Sequence, residues 1–118
     1  MNKRDTLLLS KIQIYQKLLR DTVTELRISS PKDLTTIHAM MRRGMVQTVA
    51  DIFEFTVPLS DEVLEQIPFD LDIIKQFRNT ASHNYGTITN ELAYACIVHC
   101  IDKPITNTVK ALLDGQNA

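Results

Sequence analysis

Proline and glycine occur at only seven of 118 positions, and six of these, Pro31, Pro58, Pro68, Gly86, Pro104 and Gly115, stand between runs of apolar residues that repeat every three or four. Only Gly44 interrupts such a run. Sheet proteins need a turn every 8–12 residues or so, and average chains carry about 12% glycine plus proline. This chain has too few breakers for that architecture and has them where helices must stop.

Leu8, Ile12, Tyr15, Leu19, Thr22 and Leu26 keep to one face of a helix expected from about Asp5 to Arg27. After Ser29-Ser30-Pro31, Asp33 is the expected cap of a second helix ending near Thr56, with Leu34, Ile37, Met41, Met45, Thr48, Ile52 and Phe55 on its inner side. Residues 58–70 read as a loop holding one short helical piece capped by Ser60. Asp70 then caps a third main helix through Leu71, Ile74, Phe77 and Ala81, with Gly86 expected as its left-handed terminator. Thr87 or Thr89 caps a fourth, and Pro104 suits the first turn of a last one carrying Ile105, Val109 and Leu112. The expected fold is all-α: an up-down bundle of four main helices plus a short C-terminal helix. The length fits a single domain over 1–118, with 115–118 frayed.

Hydrophobic residues make up 44% and charged residues 23%, an ordinary soluble balance. The most apolar stretch, Leu92 to Ile101, is half the length a membrane span requires, so no membrane role is expected. Two cysteines four residues apart make no disulfide framework, and no charged-then-apolar leader is evident, so the expected compartment is cytoplasmic. Net charge is −1, yet residues 1–50 hold nine Lys/Arg against four Asp/Glu, and the remainder four against ten. That asymmetry fits either a basic surface for an anionic ligand or two solvated faces that attract each other.

The chemistry concentrates in Arg78-Asn79-Thr80-Ala81-Ser82-His83-Asn84-Tyr85-Gly86, which puts a guanidinium, amides, hydroxyls, an imidazole and a phenol at the end of an apolar helix. A metal-free ribonuclease needs such groups. An imidazole can take the proton of a ribose 2′-hydroxyl or protonate the leaving oxygen, and an arginine can hold charge developing on the phosphate. Five residues at about 100° each, however, set Arg78 and His83 roughly 140° apart on a straight helix. Either the helix loosens before Gly86, or the two groups converge with those of a second chain on a two-fold axis. The competing structural reading pairs Arg78 with a surface carboxylate and leaves His83 at a helix end.

The run R-N-T-A-S-H-N-Y resembles the R-x4-H-x-Y signature of the HEPN superfamily, and specifically the HepT-like ribonuclease toxins paired with minimal nucleotidyltransferase antitoxins. The layout of helices, tight turn and proline break agrees over essentially the whole chain. The resemblance implies a metal-independent endoribonuclease without cofactor, whose homodimer brings two motifs into one RNA-cleaving cleft. Arg78 and His83 would be the catalytic pair and Asn79 would assist. Tyr85 would be the acceptor of AMP units by which the antitoxin silences the enzyme. Members of the superfamily also serve as non-catalytic modules that bind a nucleotide or substrate for a nucleotidyltransferase, and that is the alternative.

Arg42 and Arg43 in the second helix, with Ser82 of the motif, are candidate RNA contacts, although adjacent arginines point about 100° apart and only one can face a given groove. Gly44 beside them either admits a neighbouring helix or is merely tolerated. Cys96, His99 and Cys100 fall short of the four ligands of a structural zinc site and read as core. His38 reads as a surface or half-buried residue without a partner.

Overall fold

Helix α1 (Lys3–Leu26) starts where the Asn2 side chain accepts the Asp5 N–H at 2.7 Å, and ends at Arg27, which adopts a left-handed backbone with φ 56°. The Arg27 N–H then reaches the Thr24 and Val23 carbonyls, and the chain folds Ile28 back into the core. The computed structural model describes the backbone of residues 1–116 and the side chains of that range apart from Tyr85 and Gln116. Five more α-helices follow: α2 (Ala39–Thr56), α3 (Asp61–Gln66), α4 (Leu71–His83), α5 (Asn90–Ile101) and α6 (Lys103–Gln116). Short 3₁₀ turns occupy Pro31–Thr35 and Tyr85–Thr87, and no strand occurs among the described residues. The all-α bundle with its C-terminal helix is therefore the fold.

Helix α1 packs on α2, α5 and α6, while α4 lies against α2 and α5. Between them sits one core, in which Leu9, Ile12, Val49, Ile52, Phe53, Cys96, Cys100 and Val109 are fully enclosed. Among the described residues, the buried polar side chains all have hydrogen-bond partners. The Gln16 amide donates to the Cys100 carbonyl at 2.9 Å, and Asp5 accepts both the N–H and the hydroxyl of Ser60, at 2.9 and 2.7 Å. Those bonds, the backbone one foremost, hold the Asp5 carboxyl below its ordinary range. They also tie the start of α1 to the cap of α3.

Two helix ends differ from the sequence reading. Asp33 does not start α2; it accepts the Ser29 and Ser30 N–H groups and closes the capping box of the Pro31–Thr35 turn. The cap of α2 is His38, whose Nδ1 accepts the Met40 N–H at 3.0 Å, so this histidine has a structural partner after all. Gly86 is no left-handed terminator, since no glycine has positive φ; α4 ends at Asn84 in extended backbone, and the Asn84 side chain accepts the Gly86 N–H. Gly115 lies inside α6, and residues 117–118 of the expected frayed tail fall outside the described residues. Thr89, not Thr87, caps α5.

Candidate functional site

Asp70 opens α4 by accepting the Asp72 and Ile73 N–H groups, and its own N–H donates to Nε2 of His99 on α5 at 2.9 Å. The His99 ring also meets Phe69 edge-on. Burial lowers the His99 pKa against the opposing pull of Asp70 and Asp102, which keeps the imidazole in the neutral form that can accept this bond. Thus His99 of the expected core cluster fixes the start of the motif helix. The neighbouring thiols are fully buried, and desolvation pushes Cys96 up to about 12 and Cys100 upward too.

Further along, Phe53 of α2 and Phe77 of α4 pack edge to face with centroids 5.3 Å apart, setting the register of the two helices. The next residue on each helix is charged. Nε of Arg78 donates to Oε1 of Glu54 at 3.0 Å, with side-chain exposures of 45% and 60%. This is the surface carboxylate that the structural reading required, and local spacing gave no sign of it.

The ion pair lies in an open groove of about 710 Å³ between α2 and α4. Ala50, Glu54 and Val57 line one wall, and Leu71, Lys75, Arg78, Asn79 and Ser82 the other. Arg78, Asn79 and Ser82 of the motif therefore share one surface. The Ser82 hydroxyl donates to the Asn79 carbonyl, which holds it against its own helix. His83 is exposed in the last turn of α4 and is not part of the groove lining. The helix does not loosen first: the Asn84 N–H still bonds the Thr80 carbonyl four residues back, so the separation of about 140° between Arg78 and His83 persists. Tyr85 begins the 3₁₀ turn, and its side chain lies outside the described residues.

The two arginines of α2 divide. Arg42 braces the bundle, donating from Nε to the Asn90 side chain at 2.8 Å and from a terminal nitrogen to the Ile88 carbonyl at 2.7 Å. Arg43 is exposed and, at seven and eleven residues from Ala50 and Glu54, falls on the groove face of α2. Of the pair, Arg43 is the exposed one, and it is not among the residues that line the groove.

Compared with known proteins, the chain matches no family model, no curated protein and no solved structure. Among the described residues no cluster of potential metal ligands occurs, and no helix is long and apolar enough to cross a membrane.

Proposed function

We propose that this chain is a metal-independent endoribonuclease toxin of the HEPN type, acting as a homodimer and silenced by a minimal nucleotidyltransferase antitoxin. The observation that supports it is the division of one motif between two surfaces: Arg78, Asn79 and Ser82 in the groove, His83 exposed beyond it. A two-fold partner offers the simplest way to bring an imidazole to the phosphate held by this chain's Arg78. The ribose 2′-oxygen attacks the adjacent phosphorus as its proton passes to one imidazole. The bond to the 5′-oxygen breaks, and that oxygen takes up a proton. The products are a 2′,3′-cyclic phosphate and a 5′-hydroxyl end, with no metal in the step. Asn79 steadies the phosphate and Arg43 the flanking backbone.

That Arg78 and His83 do not meet within one chain favours a second reading, in which the domain binds a nucleotide or substrate for a nucleotidyltransferase and cuts nothing. One assay separates the two. Purified protein is incubated with RNA and EDTA, beside Arg78→Ala and His83→Ala. The ribonuclease reading expects cyclic-phosphate products from the wild type and none from either variant. Intact RNA in all three supports the binding module. For the silencing role, mass spectrometry after incubation with ATP, magnesium and the nucleotidyltransferase should show AMP units added to the wild type and none on Tyr85→Phe.

A further inference from the structure

Opposite its buried face, α1 presents a second stripe that is exposed among the described residues. Arg4, Leu7, Lys11, Ile14, Leu18 and Asp21 recur at alternating steps of three and four, the seam positions of a coiled coil, and all six are exposed. Leu7, Ile14 and Leu18 leave 57%, 64% and 55% of their surface in solvent, the largest exposed apolar group on any one helix. Single exposed leucines are ordinary, but three in register along a helix are not.

The stripe is also palindromic. Turned end for end, it reads with Leu7 opposite Leu18, Lys11 opposite Ile14, and Arg4 opposite Asp21. A two-fold axis crossing α1 between residues 12 and 13 generates each of these contacts twice, as a self-complementary interface demands. We propose that this face of α1 is a homodimer interface in which two α1 helices pack antiparallel in that register. Two leucine pairs flank the centre, and at each end Asp21, which already holds Lys17 of its own helix at 2.6 Å, takes the partner's Arg4 as a second cation. At the centre, the Lys11 ammonium is drawn 5.7 Å from the Phe55 ring centroid, which leaves its methylene stem to cover the partner's Ile14. Beside the seam, Lys17 faces Ser10 and Lys3 faces Thr24 across the axis, so no like charges are opposed. An anionic lipid surface is a poorer occupant, because Asp21 and Glu25 lie on the same exposed line.

Helix α1 contacts α2, α5 and α6, whereas the motif is carried by α4. A chain that also pairs through its motif would use two different axes and assemble beyond a dimer.

Sedimentation equilibrium on the full chain tests the proposal through charge reversal. Arg4→Glu sets two carboxylates together at each end and Asp21→Arg sets two guanidiniums together, so each alone should raise the dissociation constant at least about tenfold. The Arg4→Glu/Asp21→Arg double variant restores opposite charges and should recover the wild-type mass. Both substituted positions are exposed, and circular dichroism on each variant checks that it is still helical. The proposal is overturned if the wild type is monomeric, if its mass is indifferent to the single reversals, or if the double reversal fails to restore it.

Discussion

Arg78 of the motif helix donates to Glu54 of α2 at 3.0 Å, one residue along each helix from the packed rings of Phe77 and Phe53. The pair is open to solvent, so it adds at most about 1 kcal/mol to stability. Its effect on ligand binding is larger in proportion, since the carboxylate offsets the guanidinium charge that a phosphate needs and engages its Nε. Glu54→Gln removes that charge and keeps the shape. The variant should unfold within about 1 kcal/mol of the wild type in urea, yet bind a short RNA several-fold more tightly with a steeper salt dependence. Unchanged RNA affinity would mean that Arg78 does not meet the phosphate.

A shared cleft makes a prediction that a one-chain site does not. If Arg78 of one protomer works with His83 of the other, Arg78→Ala and His83→Ala each destroy both sites of a homodimer. When the two inactive variants are mixed and allowed to exchange, half of the dimers are mixed, and each of these has one intact Arg78–His83 combination. Cleavage should return to about a quarter of the wild-type rate, within the additivity expected of independent sites. A mixture that stays inactive places both groups of each site on one chain.

The sequence announced the helices because breakers and apolar spacing are local signals, read within one or two turns. Asn2 and Thr89 cap as side chains of their type do, and Ser60 and Asp70 were legible from their own neighbourhoods. The misread start of α2 has a local cause as well. Asp33 suits a cap, but Pro31 beside Ser30 builds a 3₁₀ turn first, and a histidine is a rare cap that spacing does not flag. Partners far apart in sequence were illegible: Arg42 with Asn90, Arg78 with Glu54, and His99 with the Asp70 N–H are separated by 48, 24 and 29 residues. The arginine pairing of α2 shows the consequence, because only tertiary structure reveals that Arg42 is occupied and Arg43 is not engaged in the same way.

His99 should make stability fall in mild acid. Its folded pKa is lowered by burial, so as pH drops below about 6.5 the unfolded chain binds a proton that the native imidazole still refuses. The stabilisation is complete above that value and is lost on descending through the native one, where protonation also removes the acceptor for the Asp70 N–H. Urea midpoints measured from pH 7.5 to 5 should decline for the wild type. His99→Gln, which cannot titrate, should show a flatter profile over the same range and a lower midpoint at pH 7.5. An equal slope in both would assign the acid sensitivity to other groups.

Backbone freedom is distributed against need at two positions, and exchanging it should stabilise the fold. Gly44 sits inside α2 with no atom within 4 Å of where a Cβ would stand, so within the chain it admits no close neighbour, and alanine should gain about 1 kcal/mol from helix propensity. Arg27 does the opposite, holding a left-handed backbone that costs a side-chain-bearing residue about 1 kcal/mol relative to glycine. Arg27→Gly keeps the N–H that closes α1 on Thr24 and Val23, and the exposed arginine takes part in no ion pair among the described residues. Each substitution should raise the urea midpoint. Their sites lie on different elements without shared partners, so the double variant should gain about 2 kcal/mol, the sum of the two. A loss of stability in Gly44→Ala would require a contact at that helix surface that the single chain does not make, and a loss in Arg27→Gly would place the larger effect in the unfolded state, where glycine is the more disordered residue.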